Sequence, residues 1–112
     1  MKSVTFVVRG KPPCKQIRDP NPPYKQKRRL AHLQREARAA FRHRKPFSGP
    51  CCMSIRYFRN ETGTPGASII GEIAGGLKEI VLQDDKQLQK ISYVEYESNR
   101  DLYQVTVAQR VE

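Results

Sequence analysis

The sequence predicts a fold of the α/β (α+β) class, in which two helices pack on one mixed β-sheet to form two layers. Segments with strand-like composition alternate with segments whose apolar residues recur at the helical period of 3.6, and turn-forming residues separate them. The length of 112 residues is enough for one hydrophobic core and too short for two. We therefore expect residues 1–112 to form a single domain.

The first strand and the first helix are predicted from the N-terminal part of the chain. β-branched residues and Phe6 predict a strand over residues 3–8, with apolar contacts on both of its faces. Residues 10–24 contain five prolines and predict a loop. Residues 25–44 predict a helix, because a narrow apolar stripe recurs at helical spacing. The stripe consists of Leu30, Leu33, Ala37, Ala40 and Phe41.

A second strand and a second helix are predicted next. Alternation over Cys51–Arg59 places Met53, Ile55 and Tyr57 on one face of a strand. A helical stripe then begins at Ile69 and ends at Leu77. The apolar run 80–82 fits either a short buried strand or a tight connection from the helix to the next strand.

The two last strands are predicted over Leu88–Glu97 and residues 102–111. Residues 98–101 are polar and turn-forming, so we expect the two strands to pair with each other as a hairpin.

Positive charge is concentrated in the first half of the chain. The whole sequence has a formal net charge of +10. Residues 1–60 contain 16 basic and two acidic side chains, whereas residues 61–112 contain five basic and nine acidic ones. So uneven a distribution favours a nucleic acid or another anionic partner over a face kept basic for solubility alone. The predicted nucleic-acid-binding residues are Lys11, Lys15, Arg18, Lys25, Lys27, Arg28, Arg29, Arg35, Arg38 and Arg42.

Asp84 and Asp85 are adjacent acids that follow the apolar run 80–82. Paired carboxylates can hold a divalent cation such as Mg²⁺, which prefers oxygen ligands. Aspartates before Lys86 and Gln87 are also ordinary turn residues. Both interpretations are open at this point.

The sequence favours a cytoplasmic protein without a membrane partner. Its N-terminus does not resemble a signal peptide, and no apolar run approaches the length of a transmembrane helix. The three cysteines, Cys14, Cys51 and Cys52, have no metal-binding spacing, and we expect them to be small apolar residues in a reducing compartment.

Together, the order and spacing of several segments resemble the RusA-type Holliday junction resolvases over nearly the whole chain. The resemblance is carried by the first strand, the basic helix, and the residues Gly10-Lys11-Pro12, Lys15-Gln16, Lys45-Pro46-Phe47, Leu77, Asp84-Asp85 and Gln87. It implies a small homodimeric nuclease that cuts four-way DNA junctions with Mg²⁺, using acids on facing segments and a nearby lysine. In this resemblance Asp85 corresponds to the third metal-site acid, which implies a catalytic role for it.

The chain departs from the family pattern at the start of the second helix. The family opens this helix with D-x-D-N and places a lysine about one turn later. The corresponding positions are Pro65, Ala67, Ser68 and Gly71. Gly75 also stands where the pattern commonly has an aspartate.

Three hypotheses follow from this departure. The first is a RusA-like protein that binds branched DNA and has lost or reduced nuclease activity. The second is an active Mg²⁺-dependent junction endonuclease, in which Glu61, Glu72 or a dimer partner supplies the missing acids. The third is a basic RNA- or ribosome-associated protein.

Overall fold

The computed structural model describes residues 2–14, 23–42, 44–60 and 66–110. Four strands form one mixed sheet, and two helices pack on it, which confirms the predicted α+β class. The elements in chain order are β1 (Ser3–Arg9), α1 (Pro23–Phe41), β2 (Cys51–Arg59), α2 (Gly66–Gly76), a 3-10 turn (Asp85–Gln87), β3 (Leu88–Glu97) and β4 (Leu102–Gln109).

The strand order in the sheet is β1-β4-β2-β3. Strand β4 is antiparallel to both of its neighbours, and β3 is parallel to β2. The predicted hairpin between β3 and β4 is therefore wrong. The connection between them crosses the end of β2, where the Ser98 amide donates to the Arg59 carbonyl at 3.0 Å and the Asn60 amide donates to Asp101 Oδ1 at 3.0 Å.

The core lies on one face of the sheet, beneath both helices. Val4, Phe6 and Val8 of β1 point into it, while Val7 points away and is 47% exposed. The expectation that β1 makes apolar contacts on both faces is wrong, because no described helix covers its second face, whose residues are exposed. In β2, Met53 and its alternate neighbours are buried on one face as predicted.

Helix α1 is anchored by its apolar stripe, of which Leu33, Ala37 and Phe41 are fully buried. It begins two residues earlier and ends three residues earlier than predicted. Arg42 takes a left-handed backbone conformation with a φ of 55°, and its amide donates to the Arg38 carbonyl at 2.7 Å. That conformation ends the helix at Phe41.

Helix α2 packs against α1 at its C-terminal end, where Gly76 leaves no room for a side chain. A Cβ atom at Gly76 would lie 2.7 Å from Leu30 Cδ1 and 2.9 Å from Leu33 Cδ2. The run 80–82 after α2 is a tight connection and not a strand, with single bridges from Leu82 to Phe47 and Lys78. Neither described helix is long and apolar enough to cross a membrane.

Candidate nucleic-acid interface and the aspartate pair

The outer face of α1 carries a row of cations. Its inner face packs on the sheet, so the charged side chains at the remaining helical positions project outward. The exposed members of the row are Lys27, Arg28, Arg35, Arg38 and Arg42, and Arg29 is half-buried. From Lys27 to Arg42 the row extends about 22 Å along the helix axis.

The first of two concavities on this surface is the basic groove. It has a volume of about 510 Å³ and is lined by Gly10, Lys11, Arg28, Arg29, Ala31, His32 and Arg35. Gly10 has a φ of 115°, which favours glycine, and its amide donates to the Asp101 carbonyl at 2.8 Å. This turn at the end of β1 brings Lys11 beside α1, so cations from two separate segments line one groove.

The second concavity, the C-terminal cleft, lies where α1 ends beside α2. It has a volume of about 410 Å³ and is lined by Gln34, Arg38, Arg42, Arg44, Pro46, Lys78, Glu79 and Ile80. The Gln34 side chain donates to the Gly76 carbonyl at 3.3 Å and ties the two helices together at this point. Sequence reasoning missed Lys78, because it is an isolated cation in the acidic half of the chain.

Few carboxylates oppose these cations. Glu36 is the only acid of α1, and its Oε1 lies 3.9 Å from both His32 Nε2 and Arg35 Nε. None of the described residues that line the basic groove is an aspartate or a glutamate. The cationic surface is therefore not neutralised by α1 itself.

Glu79 lines the C-terminal cleft, whereas two other acids of the second half of the chain, Glu95 and Asp101, are engaged at the end of β2. Glu95 Oε1 lies 2.6 Å from Arg59 Nη1 and accepts a hydrogen bond from the Tyr93 hydroxyl at 2.7 Å. Asp101 accepts from the Tyr57 hydroxyl at 3.2 Å. Burial, together with the Asp101 carboxylate, raises the pKa of Tyr57 far above its ordinary value, so this hydroxyl remains a donor. These contacts hold the carboxylates in place within the fold.

Three of the predicted cations lie outside what the structure describes. These are Lys15 and Arg18, together with the side chain of Lys25. Their assignment to the nucleic-acid interface remains a prediction.

Asp84 has a structural role in the 3-10 turn. Its Oδ1 accepts from the Lys86 amide at 2.9 Å, and its own amide donates to the Gln87 side chain at 2.7 Å, which completes a capping box. The Lys86 amide, followed by the neighbouring Asp85 carboxyl, lowers the pKa of Asp84 below its ordinary value. The turn interpretation thus accounts for Asp84, while Asp85 is exposed beside it.

The two segments that hold the metal-site acids in the family pattern lie far apart within one chain. A Cβ atom at Gly66, where α2 begins, would lie 2.8 Å from Tyr93 Cε1. Asp85 instead lies just before Leu88, the first residue of β3. Leu88 is five residues before Tyr93, which separates these two residues by about 17 Å along the strand. Position 67 therefore cannot share an ion with Asp85 of the same chain, and position 65 lies outside the described residues.

No group of three or more His, Cys, Asp or Glu side chains that could hold a metal ion occurs among the described residues. Glu72 lies half-buried in the middle of α2, and Glu61 is outside the described residues. The described part of one chain thus does not assemble the Mg²⁺ site that the resemblance implies.

Comparison of the sequence with protein-family models and with curated proteins finds no match.

Proposed function

We propose that this chain is a cytoplasmic protein that binds branched DNA through the basic groove and the C-terminal cleft, as a RusA-like protein with lost or reduced nuclease activity. The observation that supports this most is the basic groove, where Lys11 from the end of β1 and Arg28, Arg29 and Arg35 from α1 line one concave surface. A phosphate backbone is the ligand that such a concentration of cations attracts.

The two concavities adjoin along the outer face of α1. The basic groove is lined by α1 residues from Arg28 to Arg35 and the C-terminal cleft by residues from Gln34 to Arg42, so together they offer phosphates about 21 Å of cationic surface. The preference for a branched substrate rests on the resemblance to the RusA-type resolvases. If about six of the cations each neutralise one phosphate, the logarithm of the binding constant should fall with the logarithm of salt concentration at a slope of about −5.

Binding to a labelled four-way junction and to a linear duplex of the same sequence, each at several salt concentrations, tests this proposal. We expect tighter binding to the junction. Replacing Arg28 and Arg35 together with glutamine should weaken binding and bring the slope towards zero by about 0.9 for each lost contact. Lys86→Gln is the matched control, because Lys86 is an exposed cation on the 3-10 turn that lines neither concavity. Equal affinity for the junction and the duplex would contradict the proposal, and tighter binding to an RNA hairpin than to either DNA would favour an RNA-associated role.

Incubation of the junction with Mg²⁺ or Mn²⁺ tests the loss of nuclease activity. We expect no cleavage, because the described acids of one chain do not converge on an ion. Paired symmetrical nicks that disappear in Asp85→Asn would show an active endonuclease, with the other acids supplied by Glu61, Glu72 or a second copy of the chain.

A homodimer is part of the same proposal, because a two-fold assembly matches the symmetry of a four-way junction. Sedimentation equilibrium of the protein with and without junction DNA measures this directly. A monomer in both conditions would contradict it.

A further inference from the structure

The face of the sheet turned away from α1 and α2 is not covered by any described element. This open face consists of every second residue of the four strands, beginning at Ser3 in β1, Cys52 in β2, Lys90 in β3 and Leu102 in β4. Its charged members are Arg9, Arg56 and Lys90, all exposed, and it contains no aspartate or glutamate. None of the three cations forms an ion pair with a described residue. The open face is therefore complementary to an anion.

Arg56 stands in a concavity at the centre of this face. The concavity has a volume of about 300 Å³ and is lined by Ser54, Arg56, Gln104 and Thr106. A guanidinium beside a side-chain amide and two hydroxyls offers several hydrogen-bond donors to one phosphate.

An aromatic pair stands one step further along the same strands. The rings of Phe58 and Tyr96 are stacked, with centroids 4.9 Å apart and an interplanar angle of 17°. Tyr96 is 42% exposed, and among the described residues no strand lies beyond β3. The Tyr96 ring face turned away from Phe58 is thus open to a planar ligand.

Strand geometry sets the distance between these two features. Arg56 and Phe58 are two residues apart on one face of β2, which separates them by about 6.6 Å along the strand. A phosphate bound at Arg56 would leave its neighbouring base within reach of the aromatic pair. Surfaces that bind single-stranded nucleic acid combine cations along the phosphate backbone with aromatic rings on which the bases stack.

We propose that the open face is a second DNA surface, separate from the basic groove, and that it binds single-stranded DNA. Arg56 and the polar side chains around it hold a phosphate, and a base stacks on Tyr96. Arg9 lies at the end of this face next to Gly10 of the basic groove, so an unpaired strand leaving a junction can pass directly from one surface to the other. The inference rests on the proposed function only in taking DNA as the ligand.

Fluorescence anisotropy of a labelled oligothymidylate with the full chain tests the proposal. Tyr96→Thr keeps a residue suited to a strand, and we expect it to weaken binding roughly 5- to 160-fold, the range found for loss of one stacked base. Arg56→Gln should reduce the salt slope of oligothymidylate binding by about 0.7. Junction binding should remain unchanged in both variants. Lys86→Gln should change the binding of neither oligothymidylate nor the junction. Thermal unfolding of each variant confirms that it is folded.

The groove variant that carries glutamine at Arg28 and Arg35 completes the design. Oligothymidylate binding lost in the open-face variants and kept in the groove variant supports the inference, even where the protein shows no preference for junctions. Oligothymidylate binding that is absent in the wild type, or unchanged in both open-face variants, overturns it and leaves the proposed function standing. A wild-type dimer that Arg56→Gln or Tyr96→Thr dissociates also overturns it, because the open face would then be the contact between two copies.

Discussion

Gly76 provides a sharp test of how the two helices pack. A Cβ atom there would lie 2.7 Å from Leu30 Cδ1 and 2.9 Å from Leu33 Cδ2, closer than real side chains approach. Leu30 is only partly buried and can turn outward, whereas Leu33 is fully buried and has no space to move into. Gly76→Ala should therefore strain the contact between α1 and α2.

The expected size of this strain follows from a comparison with Gly71. Overpacking a dense core costs roughly 1–3 kcal/mol, while replacing glycine with alanine in a helix gains up to about 1 kcal/mol. Gly71 lies in the same helix, and a Cβ there meets nothing within 4 Å. Gly71→Ala should thus raise the free energy of unfolding by about 1 kcal/mol. Gly76→Ala should lower it by up to about 2 kcal/mol, so the two variants differ by about 1–3 kcal/mol.

Urea denaturation followed by circular dichroism measures both variants against the wild type. For a domain of this size, 1 kcal/mol corresponds to about 4 °C in Tm, so thermal unfolding should separate the two variants by about 4–12 °C. Equal stabilisation by alanine at Gly71 and Gly76 would refute the close helix contact.

Three further predictions concern polar groups. The Tyr103 hydroxyl is buried and has no hydrogen-bond partner among the described residues. Tyr103→Phe removes this hydroxyl and should raise the free energy of unfolding by about 1 kcal/mol. A lower stability in urea would disprove this. Glu95→Gln removes the negative charge beside Arg59 and should lower the free energy of unfolding by about 1–2 kcal/mol. The loss is smaller than for a fully buried ion pair, because the Glu95 side chain is 37% exposed. An unchanged Tm would contradict this prediction. Asp84→Ala removes the cap of the 3-10 turn. Because the folded-state pKa of Asp84 lies below the ordinary value of 3.8, its stabilising effect is present at neutral pH and lost as the pH falls through the folded-state pKa. The difference in unfolding free energy between wild type and Asp84→Ala should therefore shrink in acid, and a difference independent of pH would exclude this role.

Elements with a clear local pattern were predictable from the sequence, and strand neighbours were not. Strand β2 has the predicted bounds, because its alternation is strict between turn-forming residues. The polar residues 98–101 indicate that the chain turns, but they carry no information on which strand lies alongside. Buried alternate residues such as Tyr103 and Val105 place β4 in the centre of the sheet, while β3 at the edge remains largely exposed. The central position of β4 depends on its pairing with β1 and β2, which joins residues about 50 to 100 positions apart in the sequence.

The cationic surface was predictable only where it follows from a local sequence pattern. Charges on α1 follow from helical period, so the exposure of Arg35 and Arg38 agrees with the sequence pattern. The contribution of Lys78 depends on how α2 ends against α1, which no local pattern encodes. At Asp84 the sequence left both a metal ligand and a turn residue open, and the hydrogen bonds within the 3-10 turn account for its carboxylate.

The central position of β4 also bears on how the protein is made. Strands β1 and β2 do not touch each other in the sheet, and the strand that joins them is the last of the four to be synthesised. While the ribosome is still translating residues 1–100, the nascent chain has no complete sheet on which α1 can bury its apolar stripe. We therefore expect slow folding that begins only after β4 has emerged, since pairings between distant segments carry a large cost of loop closure.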